Sequence, residues 1–209
     1  MPLCFIGGGN HFNDELQPIY QRLAQYLKPH HKVLIIPFAT EPAKYDGWHR
    51  TGIQTFQAFG IDHVQLLPYD LSSDDMIAQI NAHDVLYLIG GRPDRLMERL
   101  HTKGLVPVLQ SFPDLMIGYS AGALAFSRDC LLSRYDDYPQ TRVIPGLGLV
   151  PFSVDVHYHS EKDEELMPLS TTTPLYAIPD GAAIFWDNDK MTTVNPITAF
   201  HNGNKERMP

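Results

Sequence analysis

The chain has 209 residues, enough to bury one substantial core, and 44% of them are apolar, the proportion of a globular protein. Its formal net charge of -8 argues against a nucleic-acid or anionic-membrane partner, because either normally needs a basic face to displace counterions. Cys4 and Cys130 are the two cysteines, which excludes a disulfide framework and offers no zinc spacing, and a cytoplasmic location is expected.

Leu3 to Ile6 is an apolar run that predicts a buried strand, in which Cys4 serves as a small apolar residue. The run is too short for a signal peptide, and no stretch elsewhere is long enough to span a bilayer. The loop Gly7-Gly8-Gly9-Asn10 follows at once. It lacks GxGxxG spacing, and no acidic residue follows a second strand at the expected place, so no dinucleotide or other cofactor is expected. It reads instead as a cleft-edge loop, with Gly8 and Asn10 as candidate substrate contacts.

Helical spacing runs from Glu15 to Leu27, with Leu16, Ile19, Tyr20, Leu23 and Leu27 on one face. A strand is predicted over Lys32 to Phe38, a helix over Thr51 to Phe59 and a strand over His63 to Leu67. Ser72-Ser73 caps a helix over Asp74 to Ala82, the strand Val85 to Ile89 opens into Gly90-Gly91-Arg92-Pro93, and a helix follows over Asp94 to Leu100. The apolar run Leu115 to Ile117 is the last strand of this series. Such alternation implies an α/β fold, a mostly parallel sheet with helices on both faces, and places ligands beyond the strand C-termini. After Phe126 come shorter strand-like pieces, Arg142 to Ile144, Tyr176 to Ile178, Ala182 to Trp186 and Met191 to Val194. These are expected to complete or flank the same sheet with antiparallel strands. With no linker visible, residues 1–209 are expected to form a single domain, with the polar end from Gly203 to Pro209 frayed. Trp48, Tyr135 and Tyr138 suit either a homodimer interface or a cover for the core.

Chemistry concentrates at Gly118-Tyr119-Ser120-Ala121-Gly122, between the apolar strand and the alanine-rich segment Ala123 to Phe126. A GxSxG serine at a strand-to-helix turn is a nucleophile elbow, in which small neighbours permit a strained backbone and the next helix aims free N–H groups at the reacting oxygen. The same residues also suit an ordinary N-cap serine. A serine nucleophile needs a base, and histidine is the usual one. His11, beside the glycine loop, lies near the right edge of the sheet, whereas His30, His31, His49 and His101 fall in loops or helix ends. In Val154-Asp155-Val156-His157-Tyr158-His159, an extended backbone sets Asp155, His157 and His159 on one face. That pattern allows His157 as general base, a three-ligand metal site, or a polar edge strand. The metal alternative lacks an obvious fourth ligand and leaves the elbow unexplained, so no metal is expected. An acid to orient the imidazole comes from Asp180, which follows a short apolar strand, or from Asp187 or Asp189 in a hairpin-like turn.

Taken together these segments resemble serine peptidase family S51, the aspartyl dipeptidase (peptidase E) and cyanophycinase group, whose fold is that of class I glutamine amidotransferases. The resemblance covers nearly the whole chain and rests on Ile35-Ile36-Pro37-Phe38-Ala39, Tyr87-Leu88-Ile89-Gly90-Gly91, Ile117 to Ala123, His157-Tyr158 and Ile178-Pro179-Asp180-Gly181. It implies a Ser120, His157, Asp180 triad, an oxyanion hole from the N–H groups of Gly91 and Ala121, and a small peptide as substrate. Two departures accompany it. Where the dipeptidases show a triple glycine followed by asparagine this chain has Ile89-Gly90-Gly91-Arg92, which makes the position after the oxyanion glycine cationic, and the stretch from His159 to Glu165 is mostly acidic where aspartate-specific members carry arginines. A preference for N-terminal aspartate therefore does not carry over. Arg92 is a candidate anchor for a substrate carboxylate, or else a structural arginine, and His159 is a further candidate contact. Two other readings compete. An α/β-hydrolase esterase would use Ser120, Asp187 and His201, and a catalytically silent homologue would keep the cleft for binding alone.

Overall fold

A computed structural model describes residues 1–135 and 138–209. Seven strands form the large sheet: β1 (Leu3–Ile6), β2 (Val33–Ile36), β3 (Val64–Leu66), β4 (Val85–Leu88), β5 (Leu115–Tyr119), β10 (Ala183–Asp187) and β11 (Lys190–Val194), in the order β11-β10-β1-β5-β4-β2-β3. β1 to β5 are mutually parallel, while β10 runs antiparallel to both β1 and β11. This is the α/β fold expected, with antiparallel strands toward the C-terminus.

Strand periodicity explains why both faces are covered. In β1, Leu3 and Phe5 enter one apolar core while Cys4 and Ile6 enter the other; β2 divides Leu34 and Ile36 from Val33 and Ile35, and β4 divides Leu86 and Leu88 from Val85 and Tyr87. Cys4 is fully buried, which pushes its thiol well above the ordinary range, so it behaves as an apolar residue. The helices over these faces are α1 (Gln17–Leu23), α2 (Tyr45–Gln57), α3 (Ser73–Asn81), α4 (Pro93–Thr102), α5 (Val106–Gln110) and α6 (Ala121–Phe126). Ser72 caps α3 by accepting from the Asp75 N–H at 3.1 Å, and Pro93 opens α4. Among the described residues, no helix is long and apolar enough to cross a membrane.

Of the later pieces, Ala182 to Trp186 and Met191 to Val194 complete the large sheet as β10 and β11, as expected, and the others pair elsewhere. β8 (Ser153–Val156), β9 (Leu175–Ile178), β12 (Ile197–His201) and β13 (Asn204–Met208) form a separate sheet ordered β13-β12-β9-β8, with α7 (Asp163–Leu169) between β8 and β9. β6 (Asp129–Leu132) pairs with β7 (Arg142–Pro145) as a third, two-stranded sheet. The terminal residues do not fray. Asn202 and Gly203, both with positive φ, turn β12 into β13, an exposed edge strand whose Lys205 ammonium also pairs with Asp163 at 2.6 Å.

Candidate active site

Ser120 lies where β5 turns into α6, at the C-terminal edge of the central strands. Its backbone has φ 51° and ψ -109°, a conformation that costs a non-glycine residue on the order of 1–3 kcal/mol. The turn is fixed by the Ser120 N–H donating to the Ile6 carbonyl at 2.9 Å. Both motif glycines are required by close approach, since a Cβ on Gly118 would lie 2.6 Å from the Ala123 nitrogen and one on Gly122 would lie 2.1 Å from the Leu88 carbonyl oxygen. The hydroxyl makes no N-cap hydrogen bond to α6, which removes the ordinary capping role. It lies instead 2.8 Å from Nε2 of His157, whose Nδ1 is 2.6 Å from Oδ1 of Asp180.

His157 is presented differently from the extended arrangement expected of its segment. β8 ends at Val156, and His157 turns to φ 50°, with its N–H donating to the Gly7 carbonyl at 3.1 Å. Asp155 therefore does not share its face. It is buried, paired at 3.3 Å with the equally buried Lys162, whose ammonium also donates to the Val156 carbonyl at 2.8 Å. That pair fixes the end of β8 from behind, a function the acidic run around Lys162 conceals in the sequence. His159 packs its ring edge-on against Tyr135 and lies 3.7 Å from Glu161, outside the cleft beside Ser120.

Asp180 follows β9, in the turn before β10, where the Gly181 N–H donates to the Gly8 carbonyl at 3.0 Å. Gly8 lies against the imidazole and carboxylate: a Cβ there would be 2.1 Å from Asp180 Oδ1 and 2.4 Å from His157 Nδ1. The glycine loop thus makes room for the His157–Asp180 contact. Asn10 serves its own loop, with its side-chain oxygen accepting from the Phe12 N–H at 2.8 Å. Asp187 and Asp189 flank a β10–β11 hairpin turn whose Asn188 and Asp189 both have positive φ, and His201 is exposed on β12. The alternative Ser120, Asp187, His201 set is not assembled.

A cleft of about 470 Å³ opens beside Ser120. Gly91, Arg92, Ala121 and His157 line its polar side, and Leu124, Leu131, Tyr138 and Val156 contribute apolar surface. The Gly91 N–H makes no hydrogen bond among the described residues, and Ala121 is the first residue of α6, where an N–H has no intrahelical acceptor. Gly91 has φ 138° and a Cβ would lie 2.4 Å from the Ala39 carbonyl oxygen, so the backbone there requires glycine.

Arg92 belongs to a network that no local sequence pattern reveals, because Tyr138 and Arg142 lie far from it along the chain. Its guanidinium binds Asp94 through Nε at 3.1 Å and Nη2 at 2.7 Å, and lies 5.0 Å from the centre of the Tyr138 ring. Tyr138 donates to Asp94 at 2.9 Å, and Arg142 reaches the same carboxylate at 3.5 Å. Tyr138 is buried, not an exposed interface aromatic, whereas Tyr135 remains exposed and Trp48 is half-buried. Burial alone would raise the Asp94 carboxyl, but hydrogen bonds from Arg92, Tyr138 and the Arg95 N–H outweigh it and hold the pKa at about 2. A depressed carboxylate contributes stability that is fully present above its unfolded value of about 3.9 and is lost as pH falls through the folded value. Asp94→Asn is therefore expected to lower unfolding free energy by about 1–2 kcal/mol at neutral pH, a deficit that shrinks from about pH 4 downward. Urea unfolding of both proteins across that range checks it.

Comparison with known proteins agrees with this architecture. The sequence profile of Peptidase family S51 matches residues 3–194. No curated protein sequence matches the chain significantly. Among solved structures, a peptidase from an acI-B1 Actinobacterium is similar with a TM-score of 0.75 at 18% identity, covering 99% of this chain and 93% of its own. A putative peptidase E protein from Listeria monocytogenes EGD-e is similar with a TM-score of 0.71 at 20% identity, covering 92% of this chain and 96% of its own. At those identities the two structures speak for the fold, while the profile match spans nearly the whole chain, the elbow included. The chain belongs to peptidase family S51 and is a serine-type peptidase.

Proposed function

We propose that Ser120, His157 and Asp180 form the catalytic triad of a peptidase that cuts a peptide or related amide bond in a small peptide through an acyl-enzyme. The observation that carries this reading is the continuous contact from Ser120 Oγ to His157 Nε2 at 2.8 Å and from His157 Nδ1 to Asp180 at 2.6 Å. Oγ attacks the scissile carbonyl carbon as Nε2 takes its proton, and the carbonyl π electrons move onto oxygen. The N–H groups of Gly91 and Ala121 receive that oxyanion, and loss of one such donor costs roughly 3 kcal/mol of transition-state stabilisation. As the tetrahedral intermediate collapses, the C–N bond breaks and His157 passes the proton to the departing amine. Water, deprotonated by the same imidazole, then attacks the ester and frees the serine. Asp180 holds the tautomer in which Nδ1 carries hydrogen, so that Nε2 is free to act as base.

Arg92 at the mouth of the cleft is half-exposed and shares Asp94 with Arg142. We assign it first to holding Tyr138 and the wall of the cleft, and a substrate carboxylate would have to compete with Asp94 for its fork. Covalent labelling tests the central assignment: a fluorophosphonate is expected to modify the folded protein once, on the peptide containing Ser120.

A further inference from the structure

The face of the large sheet that carries Tyr119 holds a second depression, open and about 710 Å³ in volume, between α2 and the turn that follows the glycine loop. His11 and Phe12 form one wall, and Trp48 projects from α2 to form another. The ring of His11 lies 4.7 Å from that of Tyr119, and the ring of Trp48 lies 5.8 Å from it, so the base of this groove rests on the residue directly before Ser120. Phe12 is 76% exposed, unusual for a phenylalanine beside a concave aromatic surface. Burial pushes the His11 pKa down to about 4, and the ring presents an uncharged face near neutral pH. The rim is charged. Lys44, Asp46 and Arg50 are exposed, line the groove and make no ion pair among the described residues; two cations against one anion leave it net positive.

We propose that this groove binds the leaving-group residue of the substrate, an aromatic or bulky apolar side chain whose free carboxylate faces Lys44 and Arg50. The proposal rests on the serine-peptidase reading of Ser120. An aromatic floor with a cationic rim matches one end of a short peptide in particular, the C-terminal residue, which pairs an apolar side chain with an obligatory negative charge. The cleft over Leu124 and Val156 belongs to the other face of the sheet, so a substrate with its acyl half there crosses the end of β5 beside Tyr119 to place its other half in this groove.

The test separates binding from catalysis. In Trp186→Phe protein Trp48 is the one tryptophan left of two, and its fluorescence is followed against N-acetylphenylalanine, N-acetylphenylalaninamide and N-acetylglycine. Saturable binding of N-acetylphenylalanine is expected, at least about tenfold tighter than either of the others. Lys44→Gln combined with Arg50→Gln, both at exposed positions, should bring the acid and the amide within about twofold of each other. On active enzyme, dipeptides ending in phenylalanine should exceed those ending in glycine by about tenfold or more in kcat/KM, and Trp48→Ala should remove most of that difference. Three ligands that bind alike, or no saturable signal, would overturn the proposal even if Ser120 is labelled by a fluorophosphonate. Selective binding in a protein whose Ser120 stays unlabelled would uphold the groove and overturn the catalytic reading beneath it.

Discussion

Replacing Ser120 or His157 singly by alanine is expected to lower kcat/KM for a peptide or an activated amide by about 10⁴- to 10⁶-fold, with the double variant little worse than either single one. The non-additivity is the informative part. Oγ without Nε2 is a neutral hydroxyl and Nε2 without Oγ has nothing to deprotonate, so removing either removes the whole step. What remains comes from Gly91, Ala121 and substrate binding in the cleft. Asp180→Asn should cost less than the loss of the base, about 10²- to 10⁴-fold, because the carboxylate is 51% exposed and water can partly support Nδ1 in its place. Thermal unfolding of each variant separates lost chemistry from lost fold. The contrary result is full activity in His157→Ala together with its loss in His201→Ala.

Gly8→Ala is expected to reduce kcat by about 10²-fold while the protein remains folded. The added methyl would sit 2.1 Å from Asp180 Oδ1 and 2.4 Å from His157 Cε1 and Nδ1. Those atoms are the ends of side chains that can swing aside, which relieves the clash at the expense of the 2.6 Å contact between them. A backbone penalty of about 1 kcal/mol comes in addition, because φ at Gly8 is 148°. Gly104→Ala is the control. That residue also has positive φ, 64°, but nothing lies within 4 Å of the added carbon, so a similar loss of stability should leave kcat unchanged. Equal effects on kcat in the two variants would mean that Gly8 acts only through backbone strain.

The central strands were legible in the sequence because each is an apolar run covered on both sides. β1 has the bounds expected, and β2, β3, β4 and β5 lie within two residues of theirs at each end. α2 begins six residues before the predicted Thr51, since Tyr45 to Arg50 includes Gly47 and charged residues and offers no apolar period to read. Assignment of the later strands to sheets was not legible: period-2 alternation reports which face of a strand is buried, not which neighbour it pairs with. The β12–β13 hairpin did carry a local signal, Asn202-Gly203, outweighed by the polarity of the residues after it. At the site, the elbow and the Pro179-Asp180-Gly181 turn are local motifs and could be read directly. The meeting of Asp94, Tyr138 and Arg142 and the buried Asp155–Lys162 pair depend on tertiary placement. The extended backbone expected from Val154 to His159 holds through β8 and stops at His157, which takes a left-handed conformation that nothing in Val156-His157-Tyr158 specifies locally.

Phosphonylation of Ser120 is the most direct measurement of whether this elbow holds an activated nucleophile. Intact and peptide mass spectrometry after incubation with a fluorophosphonate should find one adduct per chain, on the peptide containing Ser120, formed at least about 100-fold more slowly in His157→Ala and absent after unfolding. A folded protein that takes up no label, or takes it up at another residue, would contradict the assignment of Ser120, His157 and Asp180 as a working triad.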